Sequence, residues 1–138
     1  MRFAFGKMLV SILLAAALSA CGGGGSGGPE SNLPSRTFSW DPPTQYTDES
    51  NIGDPARELL EYWIYVKSDN TAFTPMDHYV IVPAVDPVTS QLVTSYDLSL
   101  AAADFSLKQG IQYHVTIRTV CMSGVASDFS DPGADVTF

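Results

Sequence analysis

The chain has 138 residues, 45% of them hydrophobic, and a formal net charge of −8. That is a one-domain length, and the apolar content excludes a chain disordered throughout. Arg2 and Lys7 lie in the first 20 residues; beyond them, five Lys+Arg stand against 15 Asp+Glu, a balance of −10. Nucleic acid needs a basic stripe, so that class of partner is excluded, as is docking of the folded part on anionic lipid head groups.

The first seven residues are short and cationic, and residues 8–20 (MLVSILLAAALSA) form an apolar run. The run is shorter than the roughly 20 residues that span a bilayer core. A charged start, a short apolar middle and small residues at the end predict a secretory signal. The run closes as Leu18-Ser19-Ala20-Cys21, which resembles the lipobox of bacterial lipoproteins. The resemblance implies cleavage before Cys21 and acylation of its thiol and new amino group. Several acyl chains, each CH₂ contributing about 0.8 kcal/mol, hold durably in a bilayer. Gly22 in place of an aspartate resembles an outer-membrane address. The next residues, GGGGSGGPESN, have little to bury and read as a flexible tether over residues 21–35. No Gly-Lys-Ser/Thr ending marks a phosphate loop there.

From residue 36 onward, short runs with two-residue alternation are separated by Pro, Gly, Asp and Asn. That pattern predicts an all-β sandwich over residues 36–138. Residues 36–40 alternate, with Phe38 and Trp40 on one face, until Asp41-Pro42-Pro43 stops the strand. In the long polar stretch that follows, Asp54-Pro55 suits a helix N-cap and first turn. Residues 62–66 (YWIYV) carry the highest strand propensity. Tyr62, Ile64 and Val66 share one face there, and Trp63, Tyr65 and Lys67 the other. Ser68-Asp69-Asn70 predicts a turn. Residues 78–82 form a further strand closed by Pro83. Residues 93–100 alternate with Tyr96, Leu98 and Leu100 in line. Residues 112–121 are the longest strand, with Tyr113, Val115, Ile117 and Thr119 on one face, and residues 134–138 the last.

Three stretches resemble a fibronectin type III domain: Phe38-Ser-Trp40-Asp-Pro-Pro43, Tyr62-Trp-Ile64-Tyr, and Leu107-Lys-Gln-Gly110-Ile-Gln-Tyr113 with its continuation to Thr119 and Ser127-Asp-Phe-Ser130. The third is the most specific, with a leucine six residues before a tyrosine and a glycine between. The resemblance implies an immunoglobulin-like two-sheet antiparallel sandwich with Trp40, Tyr62, Ile64, Leu107, Tyr113, Val115 and Ile117 in its core. It also implies that the Tyr113 hydroxyl bonds backbone just upstream. The family's first strand is short or missing: residues 29–35 are polar and hold two prolines. The strand carrying Trp40 is then an open edge, able to pair with another chain, unless residues 30–35 cover it.

Candidate chemistry is sparse. Cys121 follows the inward parity of Tyr113 and Ile117, where a cysteine acts as a small hydrophobe. His114 is near in sequence but points to the opposite face, so no base accompanies the thiol. His78 and His114 lack the further ligands a zinc site needs. Asp48, Glu49, Asn51 and Asp54 offer oxygens to calcium but miss the EF-hand spacing, and solvated loop acids are the competing reading. Trp63 and Tyr65, with His114 and Arg118 on the neighbouring strand, are expected to form an outward aromatic and cationic face of hot-spot composition. Cross-strand aromatics that only stabilise the sheet are the alternative.

These readings predict no cofactor and no enzyme. They predict a lipid-anchored envelope module, held in the bilayer through Cys21, that binds a protein or polysaccharide in trans. The alternatives are an assembly subunit that uses the open edge and, more remotely, an enzyme with an unrecognised site.

Overall fold

The computed structural model describes residues 33–46, 49–131 and 133–138. The leader, Cys21, most of the tether and Asp48 lie outside the described residues. Among the described residues, no helix is long and apolar enough to cross a membrane.

The strands are β1 (Thr37–Ser39), β2 (Leu59–Lys67), β3 (Tyr79–Pro83), β4 (Ser95–Asp97), β5 (Gln112–Cys121) and β6 (Ala134–Thr137). A short helix, α1 (Pro55–Glu58), precedes β2, and a 3-10 turn, Leu98–Ala101, follows β4. They make two antiparallel sheets, one ordered β1-β4 and the other β3-β2-β5-β6. The sheets sandwich one core. Phe38, Trp40 and Leu98 pack from the smaller side against Tyr62, Ile64, Val115 and Ile117 from the larger. Alternation explains this placement: every second residue of β2 and β5 points inward. Burying each such side chain contributes about 1.5–3 kcal/mol. The Trp40 ring meets Tyr62 edge-on at 4.9 Å and Phe38 at 5.6 Å. Burial pushes the Tyr62 hydroxyl up to about 12, while the neighbouring Trp40 indole pulls weakly the other way. Their polar atoms do not reach hydrogen-bond geometry.

The turns follow their sequence chemistry. Asp54 caps α1, its carboxylate accepting from the Ala56 amide at 3.2 Å. Glu58 closes the loop from the other end, accepting from the Gly53 and Asp54 amides at 3.0 Å each and from the Tyr46 hydroxyl. The Tyr46 hydroxyl and those amides hold its carboxyl below the usual range. At the corner before β5, Gly110 adopts φ +79°, a conformation that favours glycine. There the Lys108 amide donates to the Tyr113 hydroxyl at 2.8 Å, and the Gly110 amide to the Phe138 carbonyl at 2.6 Å.

One strand ends earlier than its alternation suggests. β4 stops at Asp97, whose carboxylate accepts from the Ser99 amide at 2.9 Å and so caps the 3-10 turn. The tighter winding buries Leu98 but swings Leu100, expected in line with it, out to 72% exposure. The same carboxylate accepts from the Arg36 amide at 3.1 Å and from the Ser35 hydroxyl at 2.6 Å, so it also holds the entry to β1. Residues 33–36 themselves form no strand.

Asp97 is therefore a small clamp on the β1-β4 sheet, and its titration shows it. Burial raises its pKa, but the bonds from Ser35, Ser99 and Arg36 outweigh that and leave it lowered. A carboxyl whose folded pKa lies below its unfolded value, about 3.9, stabilises the fold above that pH and loses the effect as pH falls through the folded value. Asp97→Ala is expected to cost about 1–2 kcal/mol at pH 7, discounted for partial exposure. Urea unfolding across pH should show the gap to wild type closing as pH drops below about 4.

Candidate functional site

The face expected from the sequence lies on the outer side of the four-stranded sheet. Register places Trp63 opposite Ile81 on β3 and Arg118 on β5, Tyr65 opposite Tyr79 and Thr116, and Lys67 opposite His114. All four sequence-selected residues therefore sit on one sheet face. They do not share one exposed patch.

Tyr65 is fully buried, with 0% of its surface exposed. Two loops cover it. The segment between β2 and β3 brings Phe73 to 6.3 Å, and the segment before β6 brings Phe129 to 5.1 Å, both edge-on. Tyr79 leans on it at 5.2 Å and stacks on Trp63 at 4.6 Å. The expectation that Tyr65 contributes to an outward surface is corrected: its direction is outward, but loop aromatics close over it. Those loop residues show no periodicity that a sequence reading would catch, although Ser127-Asp-Phe-Ser130 marks where one of them sits.

Arg118 is held inside this layer. Its guanidinium carbon lies 5.7 Å from the Trp63 ring centre and 5.2 Å from that of Phe129, while Nε donates to the Ser127 carbonyl at 2.7 Å. Phe129 reaches this position because the segment running back along β5 bulges, fitting one extra residue between two bonds to β5. The Ser127 and Ser130 amides still donate to the Thr119 and Ile117 carbonyls, at 2.8 and 2.9 Å. The return bonds, from the Thr119 and Ile117 amides, go to the Ser127 and Ser130 hydroxyls, at 2.9 and 3.2 Å. Two serine side chains thus replace missing ladder carbonyls, and the backbone between them is free to carry Phe129 over the sheet. Beyond the bulge, Gly133 passes so close to β5 that a Cβ would stand 2.7 Å from the Val115 oxygen.

The accessible remainder is a narrow strip. Trp63 and Tyr79 are half-buried and Ile81 is 56% exposed. The Trp63 indole donates to Glu61 Oε1 at 2.7 Å, which fixes its ring. The strip presents a rigid aromatic and aliphatic surface with the edge of Arg118 beside it.

His114 belongs to a separate place. Its Nδ1 lies 2.6 Å from Asp135 Oδ1, and both line a cavity of about 270 Å³ between the turn at residues 69–73 and the β5-β6 pair. Lys67 borders this region. Its ammonium lies 2.8 Å from Asp77 and 5.2 Å from the Phe73 ring centre, and it donates to Thr71 Oγ1 and the Ala72 carbonyl, both at 3.1 Å. The bond from Lys67 and that from the Thr74 amide hold the Asp77 carboxyl below its ordinary range.

The remaining candidates have structural surroundings. Cys121 is buried, and burial together with the nearby Glu58 charge pushes its thiol up, away from the nucleophilic thiolate. His78 lies edge-on to Phe105 at 5.3 Å. Of the loop acids, Asp54 caps α1 and pairs with Arg57 at 3.2 Å. Asn51 accepts from Gln45 at 3.2 Å. Among the described residues, no group of three or more His, Cys, Asp or Glu is arranged to hold a metal ion.

Comparison with known protein families, characterised proteins and solved structures finds no match to this chain.

The burial of Arg118 between two rings has an energetic consequence. Arg118→Ala should lower stability by about 2–3 kcal/mol, from two cation–π contacts and one charged hydrogen bond. Arg118→Lys should recover only part of this, because an ammonium lacks the planar stacking group. Denaturant midpoints of the three proteins test it; equal midpoints would show that the residue is free for a partner.

Proposed function

We propose that this chain is a lipid-anchored, non-catalytic binding module of the bacterial cell envelope, built on a fibronectin type III-like sandwich. Several observations support the domain type. The four-stranded sheet is ordered β3-β2-β5-β6 beside a two-stranded β1-β4 sheet. The Tyr113 hydroxyl accepts from backbone five residues upstream, as the tyrosine corner of immunoglobulin-like sandwiches does. The leader and lipobox of the sequence support export and acylation at Cys21, with Gly22 favouring the outer membrane. The Gly-rich tether then holds the domain off the bilayer.

The observation that carries the binding role is the strip Tyr79, Trp63 and Ile81 with the edge of Arg118. Trp, Tyr and Arg are the types that dominate binding hot spots, and a stacked, hydrogen-bonded ring loses little entropy on binding. The partner is an envelope protein or polysaccharide in trans. This reading keeps Trp63 and Arg118 from the sequence-derived face, adds Tyr79 and Ile81, and leaves Tyr65 as their support.

A second reading rests on β1. Among the described residues it pairs with β4 alone, so its other edge is available to a further strand. An assembly subunit would use that edge, and the purified chain would oligomerise with rising concentration.

Two measurements test the main reading. Cys21→Ser should abolish incorporation of labelled palmitate and release the chain from the membrane fraction; continued labelling would place the acyl group elsewhere or remove it from the account. Cross-linked capture from native envelopes should yield a partner that Trp63→Ala and Ile81→Ser each reduce by about tenfold or more. Ile81→Ser, at a position 56% exposed, should keep a near-wild-type unfolding midpoint, whereas Trp63→Ala loses the Tyr79 stack and the Arg118 contact and should unfold at a lower midpoint while remaining folded at the capture temperature. An unchanged capture profile would dismiss the strip, and self-capture alone would favour the β1 edge.

A further inference from the structure

A strand at the margin of a sheet leaves backbone groups unpaired, and the margins of this fold are not alike. β6 carries Asp135 along its edge, and its Thr137 carbonyl is taken by Arg36 Nε at 3.0 Å. β1 and β4 offer three residues each. β3 is the other edge of the larger sheet, five residues from Tyr79 to Pro83 with no charge among them.

Register fixes which groups of β3 are free. The Ala84 amide donates to the Leu60 carbonyl at 3.0 Å, and Tyr62 and Ile64 stand opposite Val82 and Val80. Alternation along an antiparallel ladder then turns the backbone of Val80 and Val82 toward β2 and that of Tyr79 and Ile81 away from it. The far side of the sheet agrees. The same alternation carried across β2 turns the Ile117 and Thr119 amides away from β2, where they meet the Ser130 and Ser127 hydroxyls. Tyr79 and Ile81 thus each offer an N–H and a C=O, and Pro83 a C=O alone. Among the described residues none of these groups has a partner. The side chains of the same residues belong to the strip, with Ile81 56% exposed opposite Trp63 and Tyr79 stacked on its ring.

Donors and acceptors that alternate at strand spacing, with apolar side chains between them, select the occupant. A polysaccharide has no backbone of that period. A second copy would pair through a ribbon about 17 Å long, which covers well under the roughly 1,000 Å² of a stable interface. An extended peptide needs no more than this length, because its main chain supplies the bonds. We infer that the free edge of β3 receives an extended, uncharged segment of the partner protein, added as a fifth strand of the larger sheet. Its side chains alternate between the strip on the outer face and Val80, which packs on the core, on the inner. Both neighbours are apolar, so the segment is rich in β-branched residues. The inference rests on the binding-module reading of the strip and narrows its partner to a protein.

Amide NMR of the labelled full chain in detergent micelles tests it, with the peptide acetyl-Lys-Gly-Thr-Val-Thr-Val-Thr-Gly-Lys-amide as probe. In the free chain the Tyr79 and Ile81 amides should exchange quickly and the Val80 and Val82 amides slowly. Peptide should shift the Tyr79 and Ile81 resonances and slow their exchange. N-methylating one alternate set of the central peptide residues should weaken binding by about tenfold or more, and methylating the other set should leave it within about threefold. Ile81→Pro removes a donor that lies outside the β2 ladder and should weaken binding by about tenfold. The methylated peptides leave the protein untouched and decide the question if that variant unfolds. Unchanged Tyr79 and Ile81 amides up to ~5 mM peptide, above a millimolar Kd, would overturn the inference. So would equal loss with both methylated sets, or self-association of the free chain that Ile81→Pro abolishes, which would put a second copy on the edge. If the peptide fails while Trp63→Ala still reduces envelope capture, the strip stands without the edge. If the peptide binds while capture is indifferent to Trp63, the edge stands without the strip.

Discussion

The structure hangs on the antiparallel pairing of β2 with β5, two long strands buried on their inner face and partly covered on their outer one. Inward, Tyr62 and Ile64 meet Val115 and Ile117 in the sandwich core. Outward, Trp63 and Tyr65 meet Arg118 and Thr116 under a second, smaller layer of loop aromatics. Trp63, Tyr65, Arg118 and His114, the residues of the outer face, are all mounted on this pair.

That double enclosure explains why an outward-facing row of large residues does not become an open binding patch. A sheet face carrying tryptophan, tyrosine and arginine would leave a large apolar area in water. The chain resolves this by folding two loops back over it. The break in the ladder along β5 is the means: Ser127 and Ser130 supply hydroxyls where carbonyls are missing, so the Thr119 and Ile117 amides stay paired. The hydrogen-bond accounting and the packing of Phe129 are two sides of one device.

Covering the middle of the face divides its ends. At one end Trp63, Tyr79 and Ile81 remain partly accessible as a firm aromatic strip. At the other, His114 and Asp135 border a cavity that Phe73 also lines. Tyr65, between them, is the support of both. Replacing it would disturb the fold before it reported on any ligand, which is why the strip is better probed through Trp63 and Ile81.

The sequence by itself determined the elements that rest on local periodicity and local chemistry. Two-residue alternation located β2 and β5 and sorted Tyr62, Ile64, Val115 and Ile117 from Trp63, Arg118 and His114, because strand geometry leaves each side chain only two directions. Asp54 and Pro55 announced α1, and Gly110 with Tyr113 announced the corner, because caps and left-handed turns accept few residue types. Burial on the outer face was not legible, since Phe73 and Phe129 reach Tyr65 across long sequence separations that no window contains. Nor was the end of β4, where Asp97 prefers capping a turn to continuing a strand. Only the tertiary structure decided that His114 stands apart from Trp63. Direction is a property of one strand, whereas exposure depends on what the rest of the chain lays over it.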